Sequence, residues 1–438
     1  MSLLGTYFSR LKQRPTLRWR GKVLEAVGST IESAGPLCSV GECCEIVDST
    51  GARHLSEVIG FRGSHVLSMP LESSEGIRYG DAVEALGHLP HLEVGDELIG
   101  RVLNALGQPI DGGRRSGACA AIPLDGVVPH PLERTSIRVP LGTGVRALDG
   151  LLTVGRGQRV GIFGGSGVGK STLIGMMTRN SDAEVIVVGL VGERGREVGE
   201  FLEESLGSEG RQRSVVIVST SNQSPLMRIR AAMAATSVAE YFAGLGKHVL
   251  LVLDSITRFA MAARELGLAA GEPPTAKGYT PSVFNKLARL VERAGQFRTG
   301  SITAFYTVLM EGDDQQDPIV DSVRSLLDGH VVLSRAQASE GWYPPINVLD
   351  SVSRLMPAVA SERHRQAAAL VRKLLATYAR SEDLIRIGAY KTGTDAELDR
   401  AIRSHAQIRS YLAQDSRDDV SFSSAVERLM TLTGENLA

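Results

Sequence analysis

Residues 159–172 read Arg-Val-Gly-Ile-Phe-Gly-Gly-Ser-Gly-Val-Gly-Lys-Ser-Thr, and a helical pattern follows from Leu173. Arg159–Phe163 is a short apolar strand. The residues after it, Gly164, Gly165, Ser166, Gly167, Val168, Gly169, Lys170, Ser171 and Thr172, satisfy G-x4-G-K-[ST] in the strand–loop–helix setting that gives this pattern its meaning. Glycines let the backbone curl so that successive N–H groups face a phosphate, and the following helix turns its positive end to the same point. Lys170 is placed to reach the β- and γ-phosphates, and the Ser171 hydroxyl to ligate Mg²⁺. The stretch predicts a nucleoside triphosphate site.

On both sides of this loop, from about residue 132 to 360, apolar runs alternate with helical patterns. Val185–Val191, Val215–Ser219, His248–Asp254, Ser301–Val308 and Val331–Ser334 are continuous rather than alternating in polarity. Strands buried on both faces look like this, so a parallel sheet covered by helices is expected. His248–Leu253 ends in Asp254, where a carboxylate facing the magnesium shell belongs. Glu193 lies just past Val185–Val191, in the run Gly192-Glu193-Arg194-Gly195-Arg196-Glu197. Doubly wound sheets hold ligands at the carboxyl ends of their strands, which puts Glu193 on the edge of the phosphate loop. A carboxylate there can orient the attacking water or accept its proton. Arg194 and Arg258 are candidate phosphate neighbours, although arginines so placed also pair with acids.

The flanks have different textures. From about Gly21 to Leu124, short β-like runs (Lys22–Ala26, Cys43–Val47, Val58–Gly60, His65–Pro70, Ala82–Leu86) are separated by glycine turns, which predicts a small β-barrel or sandwich. Pro109–Pro131 reads as a linker. After residue 360 the chain is helical: Ala367, Leu370, Val371, Leu374, Leu375 and Tyr378 make one apolar stripe, and further helices are expected at Ala396–Leu412 and Ser423–Thr433. The expected division is a basic arm at 1–20, a barrel at 21–124, a nucleotide domain at 125–360 and a helical domain at 361–438.

Composition excludes several classes. The 438 residues fit about three domains. With 48 basic against 49 acidic residues, the chain lacks the positive excess of a sequence-independent nucleic-acid binder. No run approaches the roughly 18 apolar residues of a membrane span. Cys38, Cys43, Cys44 and Cys119 form neither a disulfide framework nor a zinc pattern, and read as reduced thiols of a cytoplasmic protein. Arg10, Lys12, Arg14, Arg18, Arg20 and Lys22 precede any acid and read as a solvated arm or a contact for a partner or an anionic membrane face.

GGSGVGKST (164–172), VVGLVGERGREV (187–198), LVLDSITRFAMA (251–262) and PPINVLDSVSR (344–354) resemble, in order and spacing, the catalytic subunits of rotary ATPases. LLTVGRGQRVGIFGGSGVGKS (151–171), GEPPTAKGYTPSVFNKLARLVERAG (271–295) and DPIVDSVRSLLDGHVVLSR (317–335) narrow the resemblance to the ATPases of type III protein export, most closely the flagellum-specific ones. The resemblance covers nearly the whole chain. It implies an N-terminal β-barrel, a RecA-like nucleotide domain and a C-terminal helical domain, assembled as a ring of six identical subunits. By motif match it implies catalytic roles for Lys170, Glu193, Arg194 and Arg354, and metal ligation by Ser171 and Asp254. Nucleotide contacts then fall to Arg258 and to Tyr343, on which the adenine packs. Arg354 matches the arginine finger that enters a neighbouring subunit's site. One chain that carries both Glu193 and Arg354 holds both halves of a shared site, which favours a homohexamer over a ring of unlike chains.

The resemblance further implies ATP and Mg²⁺. Its partners are a central stalk subunit, a regulatory stator-like subunit, an export gate and chaperone–cargo complexes, met peripherally at the inner membrane. The arm before the barrel is shorter than in many family members. Glu311–Asp317, a solvated turn by composition, would by resemblance face the ring's opening. Three other readings share the loop. A hexameric RNA translocase needs stacking aromatics and a basic groove, but aromatics are 5% of the chain and the barrel region does not interleave them with basic residues. A nucleotide-binding structural or chaperone-docking subunit does not need Glu193. A rotary synthase catalytic subunit would require unlike partner chains.

Overall fold

The computed structural model describes residues 19–113, 120–310 and 317–435. Most of the basic arm, Cys119 and residues 311–316 of the acidic turn lie outside the described residues.

The amino-terminal strands Arg20–Val27, Thr30–Ala34, Cys43–Val47, Arg53–Arg62, His65–Pro70 and Ala82–Ala85 close into a barrel. Alternation sends Val23, Ile31, Cys44, Ile46, Val58, Val66 and Val83 inward, and closure leaves no strand edge to pair with other chains. The second strand, Thr-Ile-Glu-Ser-Ala, is absent from the sequence reading. It is short and polar, and only Ile31 and Ser33 are buried. Inside the stretch read as a linker, Ala120–Pro123 pairs with His91–Val94 as a small two-stranded sheet.

The centre is a nine-stranded sheet. Across it the neighbours run Ile346–Ser353, Gly329–Leu333, Arg159–Gly164, Ser301–Leu309, His248–Asp254, Val185–Glu193, Ser214–Thr220 and Val102–Asn104, with the short Gly295–Gln296 beside Ser301–Leu309. The pairings are parallel except those of Ile346–Ser353 and Gly295–Gln296. Val102–Asn104 comes from the stretch whose turn spacing reads as barrel, yet it forms one edge of this sheet. All the strand expectations for the middle region fall within observed strands except Ser334, the helix cap just past Gly329–Leu333.

Two apolar layers cover the sheet, one on each face. Helix Pro225–Gly244 lies close because it presents Ala231, Ala232, Ala235 and Ala239. Gly189 on the strand below completes the fit: a Cβ there would sit 2.6 Å from Leu253 Cδ2 and 3.0 Å from Ala235 Cβ.

Helices Glu362–Arg386, Ala396–Leu412 and Phe422–Glu435 pack together and against the short helix Arg146–Leu151 that precedes the phosphate-loop strand. Gly150 is required at that junction, since a Cβ would lie 2.0 Å from the Tyr411 hydroxyl. Beside it Asp149 is fully buried and accepts hydrogen bonds from Thr143 N, Thr143 Oγ1 and Gly144 N. Burial outweighs those three donors and pushes the Asp149 carboxyl up to about 7. An unfolded aspartate ionises near about pH 4. Between that value and about 7 the native chain keeps a proton the unfolded chain has lost, so this group's contribution to stability falls as pH rises through the window. In Asp149→Asn that fall is expected to disappear. Unfolding temperatures of the two chains measured across the window should converge or cross as pH rises, and parallel curves would refute the assignment.

Candidate active site

The phosphate loop leaves the carboxyl end of strand Arg159–Gly164. Gly167 and Gly169 take left-handed backbone conformations (φ +75° and +98°), which curls the loop onto the first turn of helix Lys170–Asn180. Lys170 is buried, and its Nζ donates to the Gly165 carbonyl at 2.7 Å. Burial lowers its pKa, while the negative charges of Asp254 and Glu193 oppose that shift. Ser166, Gly167, Ser171 and Thr172 are exposed along the loop and helix start.

Sheet order gathers the other groups. The strand between the phosphate-loop strand and His248–Asp254 is Ser301–Leu309, and its Thr307 Oγ1 donates to Asp254 Oδ1 at 2.6 Å. Asp254 is buried. Burial raises its pKa, and the Thr307 hydrogen bond, Lys170 and Arg258 counter the rise.

One strand further over, the register shifts between Val191 and Glu193, and Gly192 is left-handed at φ +72°. A Cβ at Gly192 would lie 3.0 Å from Arg258 Cδ, so the glycine lets Arg258 approach. Arg258 Nε donates to Glu193 Oε1 at 3.0 Å, and Nη2 lies 3.4 Å from Oε2. Burial, the Asp254 charge and a hydrogen bond with Glu197 push the Glu193 carboxyl up to about 7 against the pull of Arg258. Arg194 points to solvent and pairs with Glu197 at 3.3 Å. Of the two arginines proposed beside phosphate, Arg258 therefore holds the acid and Arg194 is exposed.

Tyr343 is half-exposed beside the loop. A Cβ on Gly169 would meet Tyr343 Cε1 at 3.6 Å and Pro345 Cδ at 3.7 Å. The Tyr343 carbonyl accepts from Gln414 N at 2.9 Å. Buried Gln414 also accepts from Arg146 N and donates to Gly144 O, which ties this loop to the carboxyl-terminal helices.

Arg354 is the group the structure does not bring to this site. Ser353 pairs with Gly329, and Gly329 pairs with Val160, at the start of the phosphate-loop strand. Gly164 lies four steps along the strand from Val160, about 13 Å at roughly 3.3 Å per residue. Arg354 is exposed at that far edge, its N–H donating to Asp328 O at 3.0 Å.

Sequence reading missed Thr307, Glu197, Gln414 and Arg335. The Arg335 guanidinium lies against the loop: a Cβ on Gly165 would sit 2.6 Å from its Nη2. Glu197 stood within the quoted Gly-Glu-Arg-Gly-Arg-Glu run, and its place four residues after Glu193, in the first turn of the helix that follows the strand, was the available signal. Thr307 and Gln414 carry no local signal.

A phosphate loop, a buried strand-end carboxylate and a second acid at the carboxyl edge of a parallel sheet, between a barrel and a helical unit, define a RecA-like P-loop ATPase. Family models match along the chain in the same order. The ATP synthase alpha/beta family beta-barrel domain matches residues 23–87, its nucleotide-binding domain matches 144–353, and the T3SS EscN ATPase C-terminal domain matches 360–431. The flagellum-specific ATP synthase of Treponema pallidum is 50% identical over 437 residues, covering 100% of this chain and 98% of the relative. The type 3 secretion system ATPase of Sinorhizobium fredii is 47% identical over 419 residues, 95% of this chain and 93% of the relative. Among solved structures, the assembled ATPase EscN of enteropathogenic E. coli in complex with its central stalk EscO superposes with a TM-score of 0.87 at 42% identity, covering 94% of this chain and 100% of that one. The chain belongs to the ATP synthase alpha/beta family, in its branch of flagellum-specific and type 3 secretion ATPases.

Proposed function

We propose that this ATPase is the motor subunit that energises protein export through a type III apparatus, and that it works as a ring of six identical subunits with sites shared between neighbours. The observation that carries the shared site is the placement of Arg354 at the edge of the sheet opposite its own phosphate loop. In this reading Lys170 and the loop amides hold the β- and γ-phosphates, Tyr343 packs on the adenine, and Glu193, positioned by Arg258, orients the attacking water. The water oxygen bonds to the γ-phosphorus as the bond to the ADP oxygen breaks, and Glu193 is placed to take the released proton. Arg354 of the neighbouring subunit stabilises the charge that spreads on the γ-phosphoryl oxygens. The Ser171 hydroxyl and the Asp254 carboxylate are hard oxygen donors of the kind Mg²⁺ prefers. They would hold the ion, which when bound neutralises phosphate charge.

The flagellar reading leads because the resemblance of motifs is closest there. The injectisome reading stays beside it, because the type 3 secretion relative is nearly as similar as the flagellar one and the carboxyl-terminal helices match a model built on a secretion ATPase. A rotary synthase catalytic subunit is the more distant alternative. The central stalk seen with EscN suggests an equivalent partner here. A stator-like regulator, the export gate and chaperone–cargo complexes complete the proposed set, met at the cytoplasmic face of the inner membrane without nucleic acid. Among the described residues no helix is long and apolar enough to cross a membrane. ATP turnover per subunit, measured against protein concentration, is expected to rise steeply as the ring assembles. Turnover that stays constant from dilute monomer upward would refute shared sites.

A further inference from the structure

Where the barrel meets the nucleotide domain there is a cavity of about 360 Å³. That is the size of a small-molecule site, at the lower end of the usual range. Its floor is apolar, made by Leu226, Ile229 and Met233 of one helix, Phe259 of the next and Leu290 of a third. Val40 and Leu89 stand at its lining as large apolar side chains that are 58% and 61% exposed.

Charge in the lining is unbalanced. Arg230 pairs with Glu57 at 2.6 Å, Arg289 with Asp125 at 3.2 Å and Arg293 with Glu240 at 2.7 Å. The fourth cation, Lys286, has no hydrogen-bond or ion-pair partner among the described residues. Glu272, Glu57 and Asp125 act on it only at longer range, and burial lowers its pKa. Lys286 is half-buried, and an ammonium group partly withdrawn from water beside an apolar floor is stabilised by an anion that brings its own apolar body.

We propose that this cavity is a binding site for an amphipathic carboxylate, with an aliphatic tail on the Leu226–Met233–Leu290 floor and its head group on Lys286. The site is separate from the phosphate loop. Its occupant touches Phe259, next in the chain to the Arg258 that holds Glu193, and it bridges the barrel and the nucleotide domain.

The test is calorimetric titration of the full chain with decanoate and, in parallel, with decyltrimethylammonium, each below its micelle concentration. Saturable binding of decanoate is expected, with the cation of the same tail length weaker by about tenfold or more. Met233→Trp, which fills the floor, is expected to remove decanoate binding. Lys286→Glu is expected to reverse the preference between head groups. Retained ATP turnover identifies both variants as folded. Equal affinity for the two head groups, absence of saturable decanoate binding, or a Met233→Trp chain that binds as before would each overturn the proposal. The comparison of head groups on the unaltered chain stands even where a variant fails to fold.

Discussion

Arg354→Ala is expected to lower ATP turnover by about 10³–10⁵-fold, or roughly 4–7 kcal/mol of barrier, while nucleotide affinity and unfolding temperature hold. The size follows from the role proposed for it, a cation supplied to the γ-phosphoryl group only when a neighbour docks. Its confinement to turnover follows from the fold. The side chain is exposed and has no hydrogen-bond or ion-pair partner among the described residues, and its backbone bond to Asp328 survives truncation. The Asp328 carboxylate is in turn held by Arg159, so the strand end keeps its place. Turnover and nucleotide affinity measured on one preparation decide the matter. A variant that hydrolyses at the unaltered rate, or one that loses nucleotide affinity in step with its rate, would show that Arg354 does not complete a neighbour's site.

Glu193→Gln is expected to cost about 10²–10⁴-fold in turnover, the usual worth of a positioned general base. Glutamine keeps the length of the side chain and one oxygen to accept from Arg258, so the loop and strand end are retained and the lost property is basicity. The two inactive variants differ in which half of the site they lack, which gives a stronger test than either alone. Mixed in equal amounts and allowed to assemble, a Glu193→Gln chain can lend Arg354 to an Arg354→Ala chain that still has Glu193. With random neighbours about a quarter of interfaces are then intact, and activity is expected to return to that order. Two inactive chains that stay inactive when mixed, under conditions where the unaltered chain forms rings, would mean that both residues act within one subunit.

The parts of this site legible in the sequence were those a single chain segment specifies. Gly164–Thr172 could be read because the loop's chemistry depends on glycine and lysine at fixed local spacing. Asp254 and Glu193 could be read because strand ends share one edge in a parallel sheet. Thr307 could not: it meets Asp254 from 53 positions away, and only the order of strands, which no periodicity states, makes them neighbours. Gln414 is hidden for the same reason, joining Tyr343, Gly144 and Arg146 across long stretches of chain. In the barrel, Thr30–Ala34 escaped because its polar composition carries little hydrophobic signal. Ile346–Ser353 was noticed for its motif and not as a strand, since as an antiparallel edge it is only partly buried and does not show the continuous apolar run of its neighbours. The position of Arg354 relative to its own phosphate loop is a statement about register, and it became visible only with the pairing of Ser353 to Gly329 and Gly329 to Val160.

That register has a geometric consequence. In the proposed ring, a subunit that offers an acid and a phosphate loop on one side and an arginine on the other is a link with a front and a back. Links of this kind close into a circle in only one sense, front to back throughout, so the circle itself has a handed direction of travel. If sites fire in succession, clockwise and anticlockwise orders are then inequivalent from the outset. In the proposed ring that inequivalence belongs to each protomer and does not depend on a stalk or cargo.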